Sequence, residues 1–454
     1  MKIKFGKIAV LAAALALALG TVFCLSSCSG VMFDIVDEIM DNVEKPGGSL
    51  DEILGNSGSG SKPTVPPSDN DGEIIGGDTG GSTDKPGNTG GNDAKPEGGE
   101  TAGDDELEFY PGQGSVPADK IDAKNRTLLS TVDIITSFGS SPSAGSGVIY
   151  KLDKEKGDAY IITNYHVVYN ESYGLATDVK FYLYGMRYET YAVSATIVGG
   201  AAYYDIAVLK VTGSEVLKNS YAMAADLGDS EQVRVFDEVF VVGNAEGYGM
   251  SVTEGIVSVD SEDLEMTGAD GSAIELRVMR TSAAINKGNS GGGIYDANGR
   301  LVGIVVAKRT GHEVDNMGYA IPINLARNLA ENIIYFCSDG TKTGVQRPLI
   351  GITITAKVIG VTIDEETGEV VKSERIEISE LSDTCIAKDK VKAGDVINSI
   401  SVDGVTVKVT RLFHVLDHML TARVGSEVKM NVTRGEETIE VTFTVPETAF
   451  NTMK

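Results

Sequence analysis

The chain has 454 residues, long enough for two or three domains, each with its own core. Its formal net charge is −26, from 65 acidic against 39 basic residues, which argues against nucleic acid as a partner because phosphate contacts require Lys and Arg. Four cysteines are too few for a disulfide framework, so stability has to come from packed cores.

The N-terminus carries Lys2, Lys4 and Lys7, then an apolar run from Ile8 to Leu25, then small residues ending in LSSCSG. That order predicts an export signal over residues 1–27. The run is near the lower limit for a membrane-spanning helix, so an uncleaved anchor is the competing reading. Leu25-Ser26-Ser27-Cys28 resembles a bacterial lipobox, in which the cysteine is lipidated and becomes the mature N-terminus. Cleavage before Cys28 is favoured, and Cys24, which follows the bulky Phe23, would leave with the signal.

Residues 28–118 read as a lipid-anchored linker. Between Pro46 and Glu108 fourteen acidic residues stand against three lysines, embedded in Gly, Ser, Thr, Asn and Pro. Such a stretch has too little apolar surface to order itself. As a flexible tether it would reach roughly 45 Å. The segment VMFDIVDEIMDNVEK just after Cys28 has helical spacing of apolar residues that would suit a lipid surface.

From residue 119 to 346 the pattern changes to short runs rich in Val, Ile, Thr and Tyr, punctuated by glycine: GSGVIYKL, DAYIITNYHVV, YAVSATIVG, DIAVLKV, EVFVVGNAEG, VTEGIVSV and GRLVGIVVA. Many short strands with turn signals predict an all-β sandwich or barrel. Within them His166 sits in ITNYHVV, Asp205 opens DIAVLKV, and Ser290 lies in INKGNSGGGIYD among four glycines. Singly, each has a plain reading: a structural histidine, a turn-capping aspartate, a glycine-rich turn. Together, in the order His, Asp, Ser, they supply what acyl transfer by serine needs, a base and a carboxylate that holds the base in one tautomer. The order is that of chymotrypsin-type double β-barrels. The glycines would let the N–H groups of Gly288 and Ser290, flanking Asn289, point at one spot as an oxyanion hole.

On these motifs, with TSAAINKGNSGG and GYAIPIN, the chain resembles the HtrA/Deg proteases, trypsin-like serine proteases of the bacterial envelope followed by PDZ domains. The resemblance implies a mainly β fold: a chymotrypsin-like double β-barrel protease domain over 119–346, then one small α+β PDZ domain over 347–448. It departs from the family pattern at Ser282, Lys287 and Gly293, none of them a triad position. Ala284, six residues before the serine, stands where Arg- or Lys-preferring enzymes carry aspartate. With Ile285, Val305 and Ala307 it predicts an apolar specificity pocket that takes small or medium aliphatic residues. Asn289 replaces the aspartate that pairs with a freshly cut N-terminus in zymogen-activated relatives, so ordering of loops such as KRTGHEVDNMG, residues 308–318, is the expected control.

In the C-terminal region AGDVINSISVDG resembles the PDZ signature, and Leu349-Ile350-Gly351-Ile352 falls where the family's carboxylate-binding loop lies. GVTIDEETGEVVKSERIEIS departs from that pattern as an enlarged hairpin. His414 and His418, four apart on a presumed helix, read as surface or groove residues rather than metal ligands, and no cofactor is expected. Cys337, ending NLAENIIYFC, reads as a buried helix residue. The expected partners are unfolded polypeptides, peptide C-termini and, through Cys28, the membrane. The resemblance also implies a homotrimer, for which Phe109 and Tyr110 in EFYPG are the nearest candidates. The competing function is a hydrolytically inert chaperone or PDZ scaffold at the cell surface.

Overall fold

In the computed structural model the described residues are 120–186, 189–306, 317–363, 365 and 367–453. The export signal, Cys28, the linker, Phe109, Tyr110, Ala307 and most of the 308–318 loop lie outside them. The described residues all fall within one unit, Gly99–Lys454.

Helix α1 (Ala123–Ser130) starts where the Asp122 carboxylate accepts from the N–H groups of Lys124 and Asn125, satisfying donors that a first turn leaves orphaned. A first sheet follows, built from β1 (Thr131–Phe138), β2 (Ser141–Asp153), β3 (Asp158–Thr163), β6 (Asp178–Tyr182), β7 (Val193–Ser194), β8 (Thr196–Ala201) and β9 (Ile206–Val211). Its strand order is β7-β6-β1-β2-β3-β9-β8. Between β3 and β6 lie a one-turn helix α2 (Tyr165–Val168) and the small hairpin β4 (Tyr169–Asn170) and β5 (Gly174–Leu175). The run ITNYHVV is therefore not one strand: β3 stops at Thr163, and the chain turns into α2.

After the short helix α3 (Glu215–Lys218), six strands close into a barrel in the order β10-β11-β12-β15-β14-β13. They are β10 (Glu238–Gly243), β11 (Ser251–Thr267), β12 (Ala273–Thr281), β13 (Gly293–Asp296), β14 (Leu301–Val306) and β15 (Gly318–Pro322). Strand β12, AIELRVMRT, lies outside the apolar runs of the sequence, because Glu275, Arg277 and Arg280 interrupt its apolar residues. Tyr295 on β13 is fully buried, and its hydroxyl meets the Ser130 and Thr131 hydroxyls at 3.2 and 2.8 Å, tying the end of α1 to the barrel. Burial pushes the Tyr295 phenol up to about 12.

Helix α4 (Ile323–Cys337) buries Leu325, Ala326, Leu329, Ala330, Ile333, Phe336 and Cys337, the 3–4 spacing of an amphipathic helix. Burial pushes the Cys337 thiol up to about 11, in keeping with a packing role. Buried Asn332 on the same helix donates to the carbonyls of Gln346 and Leu420 and accepts from the Gln346 N–H. Beyond it β16 (Val345–Pro348) leads to a second core, around a sheet of β17 (Ile352–Ile363), β18 (Val370–Leu381), β19 (Val396–Val402), β20 (Val405–Lys408), β21 (Glu427–Arg434) and β22 (Glu437–Thr444). Helix α5 (Leu412–Met419) packs on that sheet. The chain runs past residue 448, the expected domain end, into β23 (Phe450–Met453), which pairs back with β16.

The face of α5 turned toward the barrel is ionic. Arg277 of β12 pairs with Asp417 and lies 3.9 Å over the Phe413 ring. His414 meets Glu231 at 2.9 Å, and Arg411 meets Asp260 at 3.4 Å. His414 is thus a contact between the two parts of the molecule. His418 is not a surface residue but buried, bonded to the Val405 carbonyl at 2.9 Å, and burial lowers its pKa. Burial also raises the Asp417 carboxyl, so its charge depends on Arg277. Arg277→Ala is expected to cost up to about 3–5 kcal/mol by leaving that carboxylate without its partner. The pair Arg277→Met with Asp417→Leu should recover most of the loss in guanidinium denaturation; equal stability of Arg277→Ala and the unsubstituted chain would refute the assignment.

Candidate active site

Antiparallel pairing of β3 with β9, with Thr163 opposite Ala207, brings the exit of one strand beside the entry of the other. His166 on α2 and Asp205 just before β9 therefore meet, although 39 positions separate them. Asp205 is 1 % exposed and adopts a left-handed φ of 48°, a conformation aspartate tolerates better than most residues. Its carboxylate accepts from the His166 backbone N–H at 3.0 Å and from Nδ1 at 2.7 Å. The buried Asn164 side chain donates to the Asp205 carbonyl at 3.0 Å. Because a carboxylate only accepts, the neutral ring carries its proton on Nδ1 and presents the Nε2 lone pair outward. At 2.9 Å from Nε2 is Ser290 Oγ.

Ser290 belongs to the turn between β12 and β13, and the glycines around it answer to close backbone approach. Gly288 has φ of 92°, and a Cβ there would lie 2.1 Å from the Asn244 carbonyl oxygen. Gly291 has φ of 83°, and a Cβ there would lie 2.2 Å from the Ser146 carbonyl oxygen. The turn can be pressed against its neighbours only where side chains are absent. Lys287 O accepts from the Glu246 N–H at 2.7 Å, so the planar trans peptide turns the Gly288 N–H the opposite way. Among the described residues that N–H meets no acceptor. The Asn289 N–H is engaged by Asn286 O at 3.1 Å, and its side chain is buried with Oδ1 unpartnered. Asn289, expected to line an oxyanion hole, thus has its N–H taken up within the turn.

The expected specificity-pocket residues come together only in part. Val305 is fully buried in the barrel core, with Ile285 packed against the same cluster. Ala284 is exposed, and its carbonyl accepts from Thr253 Oγ1 at 2.8 Å. Gly318 closes against Ile285, whose Cδ1 would be 2.6 Å from a Cβ there. In the C-terminal region Leu349 N–H is taken by Ala449 O at 2.7 Å, whereas the N–H groups of Ile350 and Gly351 meet no acceptor among the described residues. Gly351 has φ of 78°, and Ile352 begins β17. Glu246 and Asn244, which also position the turn, carry no chemical signal in the sequence beyond their place in the run VVGNAEG.

A base–nucleophile contact backed by a buried carboxylate, in a mainly β fold with a closed barrel, defines the class, and the comparisons agree: residues 145–304 match the trypsin-like peptidase domain. Within that class the relatives are HtrA/Deg serine proteases. Serine protease Do-like HtrA of Bacillus subtilis (strain 168) is 35% identical over 51% of this chain and 46% of its own length. Serine protease Do-like HtrA of Lactococcus lactis subsp. lactis (strain IL1403) is 34% identical over 58% and 62%. The solved structure of HtrA-type protease AlgW with tripeptide is 26% identical with a TM-score of 0.47, covering 71% of this chain and 95% of that one. The chain spans about half the length of the curated relatives it matches.

Proposed function

We propose that the chain is an HtrA/Deg-type serine endopeptidase of the bacterial envelope that cleaves unfolded or damaged polypeptides. In this reading His166, Asp205 and Ser290 are the catalytic residues. Residues 347–448 form a PDZ domain, and lipidated Cys28 holds the protein on the outer face of the cytoplasmic membrane. One observation carries the reading: Ser290 Oγ lies 2.9 Å from a histidine nitrogen whose partner nitrogen is held by a buried carboxylate. An inert chaperone or scaffold has no need of that alignment.

The steps follow from the contacts. Ser290 Oγ gives its proton to His166 Nε2 as it attacks the substrate carbonyl carbon. The imidazolium so formed is stabilised by Asp205, and Nε2 then returns the proton to the leaving amine. The negative oxygen of the tetrahedral intermediate falls to the N–H groups of Gly288 and Ser290. Ala284, with no charge to offer a basic side chain, and the apolar Ile285 favour an aliphatic residue on the acyl side of the cut. At the C-terminal domain the N–H groups of Ile350 and Gly351, which meet no acceptor among the described residues, would cap a peptide carboxylate.

Ser290→Ala and His166→Ala are expected to lower turnover on unfolded casein by on the order of 10⁶. Asp205→Asn should lower it by on the order of 10⁴, and Ser290→Ala should leave the melting temperature unchanged. Product sequencing should find ends at Val, Ala or Ile. Undiminished hydrolysis by purified Ser290→Ala, or ends chiefly at Arg or Lys, would overturn the corresponding part of the reading.

A hydrophobic-ended peptide should bind the full chain carrying Ser290→Ala, and amidating its C-terminus should weaken binding by roughly 1.5–3 kcal/mol in calorimetry. Equal affinity for both peptides removes the assignment of Ile350 and Gly351. Cys28→Ala should move the protein out of the membrane fraction. Retention of the uncleaved chain there would favour the transmembrane-anchor reading.

A further inference from the structure

The run GSGVI contains a residue that neither the triad nor the oxyanion hole accounts for. Ser146, in β2, is fully buried, and all of its polar groups are committed. Its Oγ donates to Gly288 O at 2.7 Å and accepts from the Asn244 N–H at 2.8 Å. Its N–H donates to Ser290 O at 2.8 Å, and its carbonyl accepts from Thr163 Oγ1 at 2.7 Å. One residue on the first sheet therefore holds the carbonyls on both sides of Asn289, Gly288 O with its side chain and Ser290 O with its backbone N–H.

We propose that Ser146 is a positioning residue for the hydrolysis, orienting the peptide units around the nucleophile; the inference rests on the endopeptidase reading above. Peptide units are planar, so holding a carbonyl also fixes the N–H at the other end of the same unit. The Gly288–Asn289 unit is held at both ends, Gly288 O by Ser146 Oγ and Asn289 N–H by Asn286 O. The Ser290–Gly291 unit is likewise held, Ser290 O by Ser146 N–H and Gly291 N–H by Val305 O at 2.9 Å. Between them lies the Asn289–Ser290 unit, whose carbonyl accepts from the Gly292 N–H at 2.9 Å. Its N–H is the Ser290 donor of the proposed oxyanion hole, and its direction is set by two neighbours that Ser146 anchors.

The Asn244 N–H bond extends the same control to the other donor. Asn244 heads the loop whose Glu246 N–H holds Lys287 O, and that contact turns the Gly288 N–H outward. Glu246 has a left-handed φ of 54°, which costs free energy and persists only where neighbours hold it. A hydroxyl offers one donor and two acceptor sites, so it can serve Gly288 O and Asn244 N–H at once. Alanine can serve neither.

Ser146→Ala is expected to lower kcat by on the order of 100-fold, the scale of losing one oxyanion donor, while KM on an aliphatic peptide stays within about threefold. The affinity of a peptide boronate, whose tetrahedral oxygen would occupy the same hole, should fall in proportion to kcat/KM. Ser146→Cys, with a similar shape and a weaker donor, should recover part of both losses; if Ser146→Ala does not fold, the cysteine variant is compared with the unsubstituted chain by the same measurements. A folded Ser146→Ala with kcat within threefold of the unsubstituted chain overturns the proposal, as does a kcat loss without loss of boronate affinity. If the unsubstituted chain itself neither hydrolyses peptides nor binds the boronate, the endopeptidase reading fails and this inference falls with it; if it does both, only the role of Ser146 is at stake.

Discussion

A line of hydrogen bonds from Asp205 through His166 to Ser290 joins two sheets that share no strand, and the rest of the site is arranged around it. Its root is electrostatic. A carboxylate as buried as that of Asp205 is tolerated only where donors meet it, and the ring and backbone nitrogens of His166 do so. That requirement explains the local chain path. β3 has to end at Thr163 so that α2 can swing His166 over the carboxylate, and Asp205 has to take a left-handed turn before β9 begins. Asn164 completes the arrangement by fastening the Asp205 carbonyl from behind.

The serine end of the line comes from the other sheet, where the constraint is packing. The turn from Asn286 to Gly293 is hydrogen-bonded to Ser146 in β2, to Glu246 in the loop after β10 and to Val305 near the end of β14. Side chains at Gly288 or Gly291 would strike backbone atoms at little over 2 Å, so the glycines are the condition for the turn to fit. Tyr295, two residues into β13, then anchors the following strand to the end of α1 through two hydroxyl contacts. Loop, barrel and N-terminal helix are thereby one rigid support under Ser290 Oγ.

The C-terminal region is attached in two different ways. Buried Asn332 and the apolar face of α4 make a satisfied, close-packed joint near Gln346 and Leu420. The contacts of α5 with the barrel are instead charge pairs around a cavity of about 870 Å³ lined by Asp260, Arg277, Arg411 and His414. The Arg277–Asp417 pair at that joint is largely buried, so separating it would leave the carboxylate without its partner.

Much of this was legible in the chain itself. The mainly β class, the order His166, Asp205, Ser290 and the burial of Cys337 follow from short β-branched runs, glycine punctuation and helical spacing, which are local properties. Other features were not, and they share one cause: they depend on which segments meet. Ser146 and Glu246 sit in motifs that read only as strand and turn, and their importance comes from backbone atoms more than forty residues away. β12 is interrupted by charges because one of them, Arg277, faces Asp417 on a helix 140 positions later. His418 reads as a surface or groove residue, and of the two it is a groove residue whose burial nothing local announces, because the Val405 carbonyl that covers it belongs to strand β20. The sequence by itself determined which chemical groups were available and in what order. Only the tertiary structure decided which of them lost their water, and a polar group's role follows from the partner that replaces that water.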